Sequence, residues 1–201
     1  MPETSPPLGR RERNKQAKLD RIVAAAGELF SEYGVDDVTT QQIADKADIG
    51  AGTLFLYAKS KGELLLMVQN SSYADSLERG RAAAEKTPDM LQAVMAILTE
   101  VVHCNRTQVD NGRTYLREMV FGDPEEPHRR EALGLSLQTE EAVAAVLQRD
   151  QRINSGEAAT RAKVISAIMF LTMSATGNAV KTIEELLAEI RTQIQVLLPA
   201  S

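Results

Sequence analysis

The chain has 201 residues, of which 43% are hydrophobic and 25% are charged. This composition is typical of an ordinary globular protein, and it excludes a chain too polar to build a core. The formal net charge of −5 argues against a uniformly basic surface that coats nucleic acid. Cys104 is the only cysteine, so an intramolecular disulfide is excluded and a cytoplasmic location is favoured.

The N-terminal segment, residues 1–12, is predicted to be a flexible arm without the apolar stretch of a signal peptide. Six cations and two anions between Arg10 and Arg21 concentrate positive charge there. We expect this run to contact DNA; the alternative is a solvated helix face. The most apolar stretch, residues 164–175, is too short to span a bilayer, so no membrane partner is expected. Residues that interrupt a helix in the arm are Pro2, Pro6, Pro7 and Gly9.

The rest of the chain is predicted to be all-α. Aromatic residues make up only 4%, and helix-forming residues recur at helical spacing without a convincing strand. The first helix includes Ile22 and stops at Gly34. Further helices are predicted at about 40–47, 60–85, 89–107, 113–121, 128–150, 157–179 and 182–198.

A capping box starts the second helix. Thr39 and Gln42 have the Thr-x-x-Gln spacing, and Val38 and Ile43 are placed as a hydrophobic staple. Because a similar box at Ser60–Glu63 starts a later helix, only a tight turn and one short helix fit between the two. This arrangement predicts a helix-turn-helix motif.

Asp48 occupies the turn position, which needs a positive φ that aspartate tolerates. Residues 50–58 after it carry no charge, as suits a recognition helix in the major groove. Small residues at its tip let the backbone approach the bases, and Thr53 supplies one hydrogen-bonding side chain. The tip consists of Gly50, Ala51 and Gly52, and the flanking cations that neutralise phosphates are Lys46, Lys59 and Lys61.

Residues 15–66 resemble the DNA-binding region of the tetracycline-repressor (TetR) family. The matching motifs are Phe-x-x-Tyr-Gly at 30–34, Val-Thr-Thr at 38–40, Ile-Ala at 43–44, Gly-Thr-Leu at 52–54 and Ser-Lys-x-Glu-Leu at 60–64. The resemblance implies phosphate contacts by Thr40 and Lys61, and base contacts by Gln41, Thr53 and the Gly50–Gly52 tip. Gly50, Phe55 and Ala58 depart from the family's usual residues, and Tyr57 can replace one lost phosphate contact.

We therefore expect a helix-turn-helix DNA-binding domain at 13–59 and a helical ligand-binding and dimerisation domain at 60–201. The resemblance implies a dimeric repressor on a palindromic double-stranded operator, released by a small-molecule effector. An effector-insensitive DNA-organising protein, or a small-molecule-binding dimer without DNA affinity, stays open as an alternative. No cofactor is expected. His103 and Cys104 are neighbours that point about 100° apart on a helix, so no enzyme is expected either.

The last helix carries an apolar stripe, and the helix before it is apolar over a broad face; we expect these two helices of each chain to form a four-helix dimer interface. The alternative is that the stripe packs only inside its own chain. Its members are Ile183, Leu186, Leu187, Ile190, Ile194 and Leu197.

Residues 89–121 alternate apolar faces with isolated polar groups, as expected of an effector pocket. These polar groups are His103, Asn105, Arg113, Tyr115 and Arg117. The competing interpretation is a filled core with those polar groups facing water. The predicted pocket residues are Leu98, His103, Tyr115, Arg117 and Met119.

A metal site is the weaker alternative for these residues. Glu100-x-x-His103 and Glu125-x-x-His128 have the spacing of di-iron ligands on facing helices. Because Pro127 lies inside the second motif, in a predicted loop, the two motifs cannot face each other. No metal is therefore expected.

Overall fold

A computed structural model describes residues 9–199, and within that range the chain is all-α, as predicted. Residues 1–8 of the predicted arm lie outside the described residues, and residues 10–12 already belong to the first helix. The helices are α1 (Arg10–Tyr33), α2 (Thr40–Lys46), α3 (Ala51–Leu54), α4 (Lys61–Glu85), α5 (Met90–Arg106), α6 (Val109–Phe121), α7 (Pro127–Leu147), α8 (Ser155–Ser174) and α9 (Ile183–Gln195), with a 3-10 turn at Thr176–Asn178.

The predicted capping box at α2 is confirmed. The Thr39 hydroxyl accepts a hydrogen bond from the Gln42 amide at 3.2 Å, and the Gln42 side chain accepts one from the Thr39 amide at 2.8 Å. Val38 and Ile43 are both fully buried, as a hydrophobic staple requires. Two backbone amides at the start of the helix, which would otherwise lack hydrogen-bond partners, are thereby bonded. These bonds fix the residue at which α2 begins.

The predicted box at α4 forms only in part. Ser60 Oγ accepts from the Glu63 amide at 3.1 Å. The Glu63 carboxylate, however, accepts from the backbone amide of Lys59 at 2.5 Å. The Glu63 side chain therefore bonds the amide of the residue before Ser60 and not that of Ser60 itself. This bond connects the segment that follows α3 to the first turn of α4.

Helix α6 begins four residues earlier than predicted. The Gln108 side chain accepts a hydrogen bond from the Asn111 amide at 2.7 Å and so caps the helix at Val109. Asn111 and Gly112 are weak helix formers, but this cap and tertiary contacts override their propensity. At the other end of the body, α8 stops at Ser174, earlier than the predicted residue 179.

Helix α4 connects the N-terminal helices to the rest of the molecule. It packs against α1 in the head, which we define as α1–α3, and against α5, α6 and α7 in the body, which comprises the helices from α5 onward. Leu64 and Leu65 are buried near its start, and Leu77 is buried further along. A single hydrophobic core therefore continues from the head into the body.

The apolar stripe of α9 is buried inside its own chain. Leu186, Ile190 and Ile194 are fully buried, where α9 packs on α5 and α8. These three side chains are therefore covered within one chain, as the alternative interpretation of the stripe has it, while the predicted dimer interface of the last two helices stays a prediction. The outward face of α8 carries exposed apolar side chains, Val164 at 42% and Leu171 at 67% exposure.

Candidate DNA-binding head and ligand cavity

The turn between α2 and α3 has the geometry of a helix-turn-helix. Asp48 has a φ of 54°, the one positive φ at a non-glycine residue among residues 9–199, which confirms the prediction for the turn. The Ile49 amide donates to the Ala44 carbonyl at 3.0 Å. Ala44 and Leu54 are fully buried, so the two helices are held at a fixed angle.

The tip of the recognition segment is open to solvent. Gly50 and Gly52 are exposed, and Ala51, Thr53 and Tyr57 are half-buried. Helix α3 itself is a single turn that continues irregularly to residue 57. Small residues therefore face outward where a DNA groove would lie.

Side chains around the tip add one polar and two apolar groups. The Gln41 amide is exposed and donates to Asp45 at 2.7 Å, while Thr40 is half-buried. Phe55 is 50% and Leu56 82% exposed. Leu56 was not singled out from the sequence, because nothing in its spacing distinguishes it from a core leucine. The contacts of this surface with DNA stay predictions.

The flanking lysines differ in their availability. Lys59 is exposed. The Lys61 ammonium donates to the carbonyls of Val35 and Asp36 at 2.7 and 3.0 Å. Lys46 is 2.8 Å from the Glu28 carboxylate. A phosphate contact by Lys61 must therefore compete with its bonds to the α1–α2 loop.

Helix α6 is bonded directly to the same loop. The side-chain oxygen of Asn111 accepts from the Val35 amide at 2.7 Å, and its amide nitrogen donates to the Phe30 carbonyl at 2.8 Å. Asn111 is only 4% exposed. Gly34 turns the chain with a φ of 82°, and a Cβ there would lie 2.8 Å from the Gln108 side chain. We call the Asn111 bonds the head–body link.

A small cavity lies among α4, α5, α6, α7 and α8, with a volume of about 30 Å³, so a ligand larger than a water molecule has to displace side chains of its wall. Of the predicted pocket residues, Tyr115 and Met119 line it. Leu98 is fully buried in the core, whereas His103 and Arg117 are exposed. The lining residues are Gln69, Tyr73, Val101, Cys104, Asn105, Tyr115, Leu116, Met119, Ser136, Ser166, Met169, Phe170 and Met173.

Sequence reasoning missed most of this wall, because its members come from five helices far apart in the chain. The exposed Arg117 lies 3.5 Å from the Glu118 carboxylate. His103 lies in a separate groove between the head and the body. The spacing within residues 89–121 alone thus could not tell cavity-facing positions from solvent-facing ones.

Two tyrosines fix one end of the cavity. Tyr115 donates to the Asn70 side-chain oxygen at 2.9 Å, and the hydroxyl of Tyr73 is 2.9 Å from that of Thr139. Their rings meet edge to face at 6.4 Å. Burial raises the pKa of Tyr73 to about 12 and also raises the pKa of Tyr115 and Cys104. The cavity wall is therefore uncharged at neutral pH.

The raised pKa of Tyr73 predicts a loss of stability in alkali. Its ordinary pKa is 10.0 and its folded-state pKa is about 12. This stabilisation is fully present below pH 10 and lost as the pH rises through 12. The two-unit shift corresponds to about 2–3 kcal/mol of unfolding free energy. Urea unfolding measured between about pH 9 and 12 should show that the unfolding free energy falls less for Tyr73→Phe than for wild type. An equal fall in the unfolding free energy of both proteins would contradict the prediction.

The residues of the metal alternative are separated in the structure. Glu100 pairs with Arg79 at 2.8 Å, and His128 lies 3.3 Å from Glu131. Across residues 9–199 no three His, Cys, Asp or Glu side chains are grouped so as to hold a metal ion. In the same range, no helix is long and apolar enough to cross a membrane.

Residues 22–68, which contain the helix-turn-helix, match the family model described as bacterial regulatory proteins, tetR family. Residues 22–68 form a DNA-binding domain of the TetR family. This segment begins within α1 and ends in the first part of α4, so it covers the recognition surface and the start of the connecting helix. The protein therefore carries a helix-turn-helix of the kind that bacterial regulatory proteins use.

Solved structures of the same fold cover nearly the whole chain. A TetR transcriptional regulator from Rhodococcus sp. RHA1 is 18% identical with a TM-score of 0.68, covering 92% of this chain and 97% of its own. The TetR-family repressor FadR from Thermus thermophilus, in complex with lauroyl-CoA, is 19% identical with a TM-score of 0.68, covering 90% and 95%. FadR from Bacillus subtilis, in complex with stearoyl-CoA, is 17% identical with a TM-score of 0.63, covering 90% and 97%. No curated protein matches the chain.

Proposed function

We propose that this protein is a homodimeric transcriptional repressor of the TetR family that binds a palindromic operator and leaves it when a small molecule fills the cavity. The observation that carries the proposal is the position of α6. Asn111 on this helix bonds the head, while Tyr115 and Met119 line the cavity. One helix thus touches both the DNA-binding unit and the ligand space.

These three residues follow one another at intervals of four, so they share one face of α6. A ligand that displaces Tyr115 and Met119 therefore moves the helix that holds the Phe30 carbonyl and the Val35 amide. The position of the recognition tip changes with that loop. An effector acts in this way only if it binds the displaced conformation more tightly than the DNA-binding one.

The nature of the cavity supports a largely apolar effector. Methionine and aromatic side chains such as Met169 and Phe170 give the cavity an adaptable wall, to which Leu116 adds further apolar surface. The lauroyl-CoA and stearoyl-CoA held by the two FadR neighbours show that this fold accommodates ligands with long apolar chains. A small molecule with substantial apolar surface is the effector class we propose here.

Of the two helices expected to form the dimer interface, the outward face of α8 supplies the contact that we propose. Val164, Ala167 and Leu171 are exposed and follow at intervals of three and four, so they lie on one face. A two-fold axis through this face would pair the helix with its copy and give the isologous contact of a dimer. Two heads then reach two half-sites of an operator.

The recognition tip yields a specific prediction for DNA binding. Thr53→Ala should relax sequence preference at one base position by about 1–3 kcal/mol, because it removes the single hydrogen-bonding side chain of α3. The measurement is competition binding between the preferred site and single-base variants. As a matched control, Lys59→Ala should weaken binding to all sites alike and reduce the salt slope by about one. If Thr53→Ala kept the base preference of the wild type, Thr53 of α3 would not contact the bases.

The experiment that tests the function as a whole is selection of bound DNA from a random pool by the full chain. We expect a palindrome with half-sites about one helical turn apart. Enrichment without a shared sequence would favour a DNA-organising protein. No enrichment at all would favour a small-molecule-binding dimer without DNA affinity.

A further inference from the structure

Asn105 is a cavity-lining residue whose hydrogen-bonding capacity is incompletely used. The residue is only 7% exposed, and its side-chain oxygen is buried with no partner among the described residues. It is the one cavity-lining side chain in residues 9–199 with such an orphaned atom. Because a buried acceptor without a donor is unfavourable, this atom calls for a partner that the protein does not supply.

The orientation of the Asn105 amide is fixed by its neighbour Gly112. Its nitrogen donates to the Gly112 carbonyl at 3.2 Å. Turning the amide over would place its oxygen against that carbonyl, where both atoms are acceptors. A Cβ at Gly112 would lie 2.7 Å from the Asn105 side-chain oxygen, so α6 approaches closely and holds the group in place. The oxygen is therefore the polar atom left for a ligand.

The rest of the wall determines what kind of ligand fits. Among residues 9–199, no Asp, Glu, Lys, Arg or His lines the cavity, and Tyr73 and Tyr115 stay protonated at neutral pH. A charged group would be buried here without a counter-ion, which is strongly unfavourable. The cavity thus suits a neutral molecule.

Building on the proposed function, we infer that the effector is a neutral, largely apolar molecule with one hydrogen-bond donor, a hydroxyl or N–H group, accepted by the side-chain oxygen of Asn105. A site that hydrogen-bonds a ligand hydroxyl discriminates against the analogue that lacks it, because its own polar group is then left unpaired. Asn105 is in this sense the specificity-determining residue of the cavity.

The test compares two probes of nearly equal size, 2-naphthol and 2-fluoronaphthalene, which differ in the donor. Isothermal titration of the full-length chain should show 2-naphthol binding about tenfold more tightly or better. Asn105→Leu should abolish this preference, because leucine has similar volume and accepts no hydrogen bond. Asp110→Ala, which changes an exposed polar residue outside the cavity, should retain it.

Several outcomes would overturn the inference. Wild-type protein that binds 2-fluoronaphthalene as tightly as 2-naphthol would show that the oxygen selects no donor. The inference would also be contradicted if neither probe bound the wild-type protein up to its solubility limit. A preference for 2-naphthol that persists in Asn105→Leu would contradict it as well. If Asn105→Leu fails to fold, the same comparison of the two probes is made with Asn105→Ala, which should also lose the preference, and with the wild-type protein.

A gel shift on the selected operator separates this inference from the proposed function. Donor-dependent binding of 2-naphthol to a protein whose operator binding never responds to any ligand would support the site and contradict ligand-released repression. Release from the operator by another ligand, without a donor preference between the probes, would support the function and contradict the role of Asn105.

Discussion

Asn111→Ala is expected to lower the free energy of unfolding by about 2–4 kcal/mol. The substitution removes both bonds of the head–body link. It leaves the buried Val35 amide unpaired, which costs about 1–3 kcal/mol, and it removes one of two bonds to the Phe30 carbonyl, worth about 0.5–1.5 kcal/mol. The Phe30 carbonyl keeps its bond from the Gly34 amide at 3.0 Å. Urea denaturation of the full chain, followed by circular dichroism, measures the loss. Operator binding should weaken as well, because the α1–α2 loop is no longer held against α6.

Asp110→Ala is the matched control for this prediction. Asp110 precedes Asn111 on the same helical turn but is exposed, and an exposed substitution of this kind should change stability by no more than about 0.5 kcal/mol. Equal stability of the two variants would show that the head is held by α4 alone. The link would then have no part in transmitting the effector signal.

Val164→Glu combined with Leu171→Glu is expected to convert the dimer into monomers. The two changes place four carboxylates in one two-fold contact, where they lack counter-ions and repel one another. Operator affinity should fall by about 10²–10⁴-fold, because the two heads no longer bind as a unit. Sedimentation gives the oligomeric state, and fluorescence anisotropy with operator DNA gives the affinity.

Tyr33→Glu provides the control for the introduced charge. Tyr33 is an exposed side chain on α1, and α1 packs mainly on α2 and α4. This variant should remain a dimer. A double mutant on α8 that sediments like wild type would exclude its outward face as the interface.

Local features of the fold were predictable from sequence. The Thr39–Gln42 box, the positive φ of Asp48 and the stop at Gly34 each depend on residues close in the chain. Their chemistry therefore determines the backbone without reference to tertiary structure. The helix-turn-helix is made almost entirely of such signals, which is why it could be placed within a residue or two.

Tertiary relationships were not predictable to the same extent. The stripe of α9 was correctly identified as buried, but periodicity shows which face is covered and not whether α5 or a second chain covers it. Asn111 offered no local signal, since its partners precede it by more than 70 positions. Tyr115 and Met119 were found on the cavity wall, whereas Asn105 was noticed only as a polar residue in the same segment.

The head–body link engages the end of α1 and the α1–α2 loop through main-chain atoms only, namely the Phe30 carbonyl and the Val35 amide. Lys61 likewise bonds carbonyls of that loop. The side chains of the recognition tip, residues 50–53, therefore take no part in the connection. The operator sequence can then diversify during evolution, or be re-engineered in chimeras, without rebuilding the response to the effector. What such exchanges must preserve is the backbone path through Gly34, whose positive φ excludes most other residues.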